Sequence, residues 1–123
     1  MNEQELNKKL AEWAEFIYDE GGEYVLRGKT GYGLWYSPDD THNGFIEPPS
    51  FTQSLDACFK WLVPKLFKDG QGGIEFRYYP GILRCIVTYE CESGFDTVEG
   101  EDVKFNSALS LCLAIEKLID RKE

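Results

Sequence analysis

Residues 74–91, IEFRYYPGILRCIVTYEC, are the strongest structural signal in the chain. Both halves are rich in the β-branched and aromatic residues that favour strands. Between them, Pro80 presets φ for the first central position of a tight turn, and Gly81 tolerates the positive φ of the second. The sequence therefore predicts an antiparallel hairpin in which Tyr79 and Ile82 flank the turn.

A two-residue loop also predicts which side chains of this hairpin face each other. One face would carry only apolar, aromatic and thiol side chains and belong to the core: Ile74, Phe76, Tyr78, Leu83, Cys85 and Val87. The other face would place Arg77 directly opposite Arg84. Opposed like charges are unfavourable unless an acid or an anion lies between them. Two hypotheses follow: ion pairing with a carboxylate of Glu75, Glu90 or a helix, or binding of an external anion.

Composition and charge limit the class of protein. A chain of 123 residues fits a single domain, 1–123, and 42% hydrophobic with 28% charged residues is typical of a globular protein. Twenty-two acidic against thirteen basic residues give a net charge of −9, which disfavours double-stranded nucleic acid and anionic membrane surfaces. We see no apolar run long enough to span a membrane and no secretory signal, so the sequence predicts a cytosolic protein.

Apolar spacing predicts three helices. The first starts at an Asn2 cap and runs through Ile17 to Gly21-Gly22. The second covers Ser50 to Phe67, with Ser50 and Gln53 as a capping box and with Pro64 kinking or tightening its last turn. The third follows an Asn106 cap and extends over Ser107 to Asp120.

Further strands are predicted at 23–27 and 32–37, joined as a hairpin, and at 95–99, whereas 37–50 is interpreted as a long surface loop. Together these elements indicate an α/β fold. We expect a three-layer α/β domain with three helices and a mainly antiparallel sheet of about five strands.

The sequence offers little support for catalysis. Its four cysteines lie in apolar patterns without metal-ligand spacing, and its single histidine, His42, is remote in sequence from all of them. Asp39, Asp40 and His42 have the chemistry to hold a divalent cation, but turn loops are rich in such residues for backbone reasons. We therefore predict a protein that is not an enzyme, with no metal, cofactor or catalytic residue.

Two helical segments, FTQSLDACFKWLVPKL at 51–66 and ALSLCLAIEKLID at 108–120, resemble the signatures of the phage ABA sandwich domain family. In that family a capped helix follows a proline-containing loop, and the C-terminal helix carries a core similar to residues 110–115 here. The resemblance implies an α/β/α sandwich from a bacteriophage or prophage that acts in the host bacterial cytoplasm. The family has no assigned reaction, so the resemblance implies no catalytic residues.

Two functions are compatible with these observations. In the first, a non-enzymatic phage accessory protein of the anti-defence type binds and sequesters a small anionic nucleotide-type signalling molecule of host immunity. Arg77 and Arg84 would hold phosphate, while Tyr79, Trp35 or Trp61 would stack on a base. In the second, the chain is a protein-binding module that inhibits or masks a host protein through its acidic, aromatic surface.

Trp61 lies off the apolar stripe of its helix. An outward-facing tryptophan lines a ligand pocket, belongs to a subunit contact, or is partly buried against a loop. With the surplus of aromatic residues, it leads us to expect a homodimer or higher homo-oligomer.

Overall fold

The computed structural model describes residues 2–68 and 70–122, apart from the side chains of Thr41 and Lys122. Its helices are α1 (Glu3–Trp13), α2 (residues 55–66) and α3 (Ser107–Lys122), and a single 3-10 turn covers Phe51–Gln53. The six strands are β1 (Ile17–Leu26), β2 (Lys29–Ser37), β3 (Asp40–Phe45), β4 (Gly72–Tyr79), β5 (Ile82–Cys91) and β6 (Gly94–Asp102).

The strands form two separate antiparallel sheets, an N-terminal sheet in the order β1-β2-β3 and a C-terminal sheet in the order β4-β5-β6. The prediction of a three-layer sandwich around one sheet of about five strands is therefore wrong. Each sheet is a meander, since its consecutive strands are joined by short turns. The segment 37–50, interpreted as a loop, contributes β3, and the helical residues 51–66 separate the two meanders along the chain.

The hairpin predicted from residues 74–91 is confirmed. Tyr78 pairs with Leu83, Phe76 with Cys85 and Ile74 with Val87, and the opposite face pairs Arg77 with Arg84. Gly81 adopts φ +82°, as the second central position of a Pro-Gly turn requires. The side chains of Leu83, Cys85 and Val87 are fully buried, whereas Tyr78 is 72% exposed at the end of the face predicted to be core.

The core lies between the C-terminal sheet and α3, which packs on β5 and β6. Leu111, Ile115 and Leu118 of α3 are buried there, as is Leu62 of α2. The helix approaches β6 closely at Gly100. A β-carbon at this position would stand 2.6 Å from the Ala114 nitrogen and even closer to the Ser110 carbonyl oxygen.

The N-terminal sheet joins the core at one place. Among the described residues, Trp35 is the only side chain of β1–β3 within the core cluster. The opposite face of this sheet exposes the apolar side chains of Ile17, Val25 and Tyr32. The sheet is thus a projecting element held mainly through one tryptophan.

The first helix begins as predicted and ends early. The Asn2 side chain accepts a hydrogen bond from the Glu5 N–H at 2.8 Å. The helix stops at Trp13, because Glu15 adopts the left-handed conformation with φ +70°. Ile17 therefore lies in β1, where it is exposed and does not extend the helical stripe.

The second helix ends where it was predicted to end, but it begins later and contains a widened turn. Ser50 makes no capping hydrogen bond; Ser54 is the cap, and its hydroxyl accepts from the Ala57 N–H at 3.1 Å. Cys58–Leu62 is a π-helical turn between the α-helical parts Leu55–Ala57 and Val63–Leu66. Because Pro64 has no N–H and its ring crowds the preceding turn, the helix widens before Pro64 and does not tighten.

Thr52 connects three elements of the core. Its backbone N–H donates to the Asn7 Oδ1 of α1 at 3.1 Å, and its hydroxyl accepts from the Asn7 Nδ2 at 3.4 Å. Its carbonyl accepts from the Asn106 Nδ2 at 2.9 Å, while Asn106 Oδ1 caps α3 by accepting from the Leu109 N–H. Since Thr52 is fully buried, these two asparagines satisfy polar groups that water does not reach.

We predict that Gly100→Ala lowers the free energy of unfolding by about 1 to 3 kcal/mol or more, because the new methyl group meets backbone atoms of α3. Gly73→Ala is the matched control, since nothing lies within 4 Å of a β-carbon there. Urea denaturation measures the free energy of unfolding of both variants. Equal midpoints for the two variants would contradict the close packing of α3 on β6.

We predict that Asn7→Ala lowers the free energy of unfolding by about 1 to 3 kcal/mol, because it removes the acceptor of a buried backbone N–H. Lys8→Ala changes an exposed position of the same helix and should leave stability nearly unchanged. Thermal denaturation compares the two variants. An Asn7→Ala protein as stable as the parent would show that the Asn7–Thr52 contact contributes nothing.

Candidate functional site

The predicted arginine pair lies on the solvent face of the C-terminal sheet and is already compensated. Arg77 Nε lies 3.0 Å from the Glu75 carboxylate. The Arg84 guanidinium lies 2.7 Å from Glu101, directly opposite on β6, and 3.8 Å from Glu99. The internal ion pairing considered from the sequence is therefore present, with Glu75 as one of the anticipated partners.

Tyr79 lies beside both arginines. The Arg84 guanidinium carbon is 5.1 Å from the centroid of the Tyr79 ring, a cation–π contact. The Tyr79 hydroxyl and the Glu75 carboxylate raise the pKa of Arg77, so both stabilise its charged form. Neighbouring side chains of the same sheet thus reduce the repulsion between the two guanidinium groups.

Trp35 lies elsewhere, in a groove between α1, the N-terminal sheet and residues 46–53. We call this the acidic groove; its volume is about 750 Å³. Trp35 and Tyr18 form its aromatic part, with ring centroids 5.0 Å apart. Ile46 and Pro48 add apolar surface.

The backbone of β2 makes room for these rings. Gly33 has φ +109°, and a side chain there would collide with the Tyr18 hydroxyl. Tyr18 therefore covers Gly33 beside Trp35 and remains 46% exposed, whereas Trp35 is 7% exposed. A ligand in the groove would meet mainly the Tyr18 ring.

Carboxylates dominate the charged lining of the acidic groove. Among the described residues, Glu3, Glu12 and Glu47 line it together with one amine, that of Lys8. Glu3 also accepts a hydrogen bond from the Gln53 Nε2 at 2.7 Å. Such a lining favours a cationic ligand and repels an anionic one.

Trp61 is partly buried and does not face outward as a contact surface. Its ring packs edge-on against Phe16 and Phe51, at centroid distances of 5.5 and 6.4 Å. It borders a second cavity of about 380 Å³, which also receives Lys60, Lys65 and Lys68 and which we call the lysine pocket. Burial of Trp61 within the fold was one of the three alternatives considered from the sequence.

The five predicted ligand-binding residues therefore do not form one site. Arg77, Arg84 and Tyr79 are together on the C-terminal sheet, whereas Trp35 and Trp61 border two different cavities. Sequence reasoning missed Tyr18 as a partner of Trp35. The alternation of Glu99 and Glu101 at a strand period was the available signal for the counter-charges of Arg84.

The two aspartates considered as metal ligands form local hydrogen bonds, and Asp39 accepts from the Ser37 hydroxyl. Asp40 accepts hydrogen bonds from the backbone N–H groups of His42 and Asn43 and from the Asn43 side chain. Within the described part of the chain, no group of three histidine, cysteine or acidic residues is arranged to hold a metal ion. The same part contains no helix long and apolar enough to cross a membrane.

Three of the four cysteines are core residues. Cys58, Cys85 and Cys112 are buried, and the Cys58 and Cys112 sulfur atoms are 3.7 Å apart. Burial raises the pKa of Cys85 to about 12, and the hydrogen bond to Cys58, together with burial, raises the pKa of Cys112. Both remain protonated and unreactive at neutral pH. Cys91 is half-buried and lies beside Ser93.

Comparison with known proteins returns no match to a family model, to a characterised protein or to a solved structure. The resemblance to the phage ABA sandwich domain family stays a prediction.

We predict that only one thiol of the native protein reacts rapidly with a thiol-specific reagent at neutral pH, and that this thiol is Cys91. All four should react in denaturant. Burial raises the pKa of Cys85 to about 12, so this thiol stays protonated at lower pH. Raising the pH while the protein stays folded should therefore not make Cys85 reactive until the pH nears that value. Colorimetric thiol titration measures this, with Cys91→Ser as the control; rapid native labelling of that variant would contradict the core assignment.

Proposed function

We propose that the protein is a protein-binding module that holds a basic, aromatic-containing segment of its partner in the acidic groove. The observation that carries the proposal is the combination of an aromatic pair, Tyr18 and Trp35, with an excess of carboxylates along one open cavity of about 750 Å³. Tyr18 presents an exposed ring to lysine or arginine, a favourable cation–π arrangement. Glu12 and Glu47 would pair with further positive charges.

The charge of the whole chain supports this choice of partner. A net charge of −9 attracts a basic protein surface at long range and raises the rate of encounter. Tyrosine, tryptophan and arginine are also the residues most enriched at the centres of protein interfaces. Tyr18 provides one of them as an exposed ring supported by the buried Trp35, and an arginine of the partner would provide another.

A small anionic nucleotide-type ligand at Arg77 and Arg84 stays a prediction with less support. Such a ligand would have to compete with Glu75 and Glu101, which lie 3.0 and 2.7 Å from the two guanidinium groups. Breaking these contacts offsets part of what phosphate binding would contribute. Trp35 and Trp61 also border other cavities, so neither supports a base bound at the arginine pair.

The biological setting rests on the family resemblance alone. Masking or inhibition of a host protein, a phage or prophage source and the host bacterial cytoplasm stay predictions, as does the absence of catalysis. Self-association also stays a prediction, but its basis changes. Trp61 is packed against Phe16, whereas exposed apolar side chains of the N-terminal sheet include Ile17, Val25 and Tyr32.

We predict that a synthetic peptide of lysine, arginine and one tyrosine binds the protein and changes its tryptophan fluorescence, whereas a glutamate-containing counterpart does not bind. The double variant Glu12→Gln and Glu47→Gln should bind the basic peptide roughly tenfold more weakly, since each exposed charge pair contributes up to about 1 kcal/mol. Binding by the parent should also weaken as salt is added.

The matched control is the double variant Glu20→Gln and Glu23→Gln, which removes the same charge from exposed positions of β1 outside the groove. It should bind nearly as well as the parent. If both double variants bind the peptide equally weakly, the loss of affinity is due to net charge and not to the groove. If the parent does not bind the peptide, the proposal is wrong.

A further inference from the structure

The lysine pocket is a second cavity, independent of the acidic groove and opposite to it in charge. Lys60, Lys65 and Lys68 contribute three of the thirteen basic residues of a strongly acidic chain to one opening of about 380 Å³. Positive charge is concentrated here although it is scarce in the chain as a whole. A cavity lined mainly by one sign of charge raises the local concentration of ions of the opposite sign.

Two of the three amines are held over aromatic rings. Lys60 Nζ lies 4.5 Å from the Trp61 ring centroid, and Lys65 Nζ lies 5.3 Å from that of Trp13. A ring face attracts an ammonium group but does not neutralise its charge. Glu15 is 3.7 Å from Lys65, longer than a direct charged hydrogen bond, and within residues 2–68 and 70–122 neither Lys60 nor Lys68 forms an ion pair.

Among residues 2–68 and 70–122, lysines outnumber carboxylates in the lining of this pocket. Asp39 and Glu15 border it together with three lysines. The Ser37 hydroxyl donates to Asp39 at 2.7 Å and, with the nearby Lys60 charge, lowers the pKa of Asp39, so this carboxylate is ionised at neutral pH. The described lining therefore carries one more positive than negative charge.

Trp61 places an indole N–H beside the pocket. Its Nε1 is buried and forms no hydrogen bond of good geometry in the described part of the structure. It lies near enough to the Asp39 carboxylate to contribute to the lowered pKa of that group, so its signal reports on the charges of the pocket. Pro64 and Lys65 lie in the last turn of α2, Lys68 follows the end of this helix, and Lys60 and Trp61 lie in the widened turn before Pro64.

From this geometry we infer that the lysine pocket binds a small phosphate-bearing anion. Lysine amines bind phosphate as point charges without a fixed approach direction, which suits three flexible side chains around an open cavity. The rings of Trp61 and Trp13 hold two of these amines near the opening. The Trp61 ring itself is packed against Phe16 and Phe51 and covered by Lys60, so recognition depends on the phosphate and not on base stacking.

Nuclear magnetic resonance titration of the full chain with adenosine monophosphate, and separately with inorganic phosphate, tests the inference. Either probe should bind with millimolar or tighter affinity and shift the indole N–H signal of Trp61, assigned by Trp61→Phe. The double variant Lys60→Gln and Lys68→Gln should weaken binding by roughly tenfold. All changed side chains are exposed except Trp61, which serves only for assignment.

Two matched double variants distinguish binding in the lysine pocket from binding elsewhere on the protein. Lys29→Gln with Lys104→Gln removes the same charge from exposed positions outside the pocket, and Arg77→Gln with Arg84→Gln removes the arginine pair. Both should bind as the parent does. Loss of binding in either of these variants, an unshifted Trp61 signal, or no binding at about 10 mM of either probe would overturn the inference.

Discussion

The arrangement of the core depends on the hydrogen bonds around Thr52. This one buried residue uses its N–H, its carbonyl and its hydroxyl to join α1, through Asn7, to the start of α3, through Asn106. Asn106 simultaneously caps α3, so the starting point of that helix and the position of the 3-10 turn are fixed by the same side chain. Buried polar contacts of this kind specify one arrangement, because any other leaves a donor or acceptor unpaired.

The sequence predicts features that depend on near neighbours. The 74–91 hairpin is recovered with its register, because turn and alternating pattern are encoded within eighteen consecutive residues. The caps at Asn2 and Asn106 are recovered for the same reason. The predicted cap at Ser50 is not recovered. Ser50 precedes a pattern suitable for a capping box, but Asn7 and Asn106 hold the next turn in a 3-10 conformation, and Ser54 caps the helix.

Features that depend on distant contacts are not recovered. Nothing in the local pattern shows that the strands divide into two sheets, because pairing between strands is decided by how each meander packs on helices. The predicted ligand-binding residues are not recovered as one site for a related reason. Arg77 and Arg84 stand out in sequence because they oppose each other, but the register of β6 brings Glu101 opposite Arg84. Tyr18 and Trp35 meet across two strands where Gly33 lacks a side chain.

The attachment of the N-terminal sheet has a consequence for dynamics. Trp35 is its one link to the core in the described structure, whereas the C-terminal sheet contributes Leu83, Cys85, Val87 and Val98 as fully or almost fully buried side chains. Local opening of β1–β3 therefore exposes less apolar surface than opening of β4–β6, and the two sheets form units of different cooperativity. Trp35 also borders the acidic groove, so a segment bound there would slow amide exchange in the N-terminal sheet while leaving exchange in the C-terminal sheet unchanged.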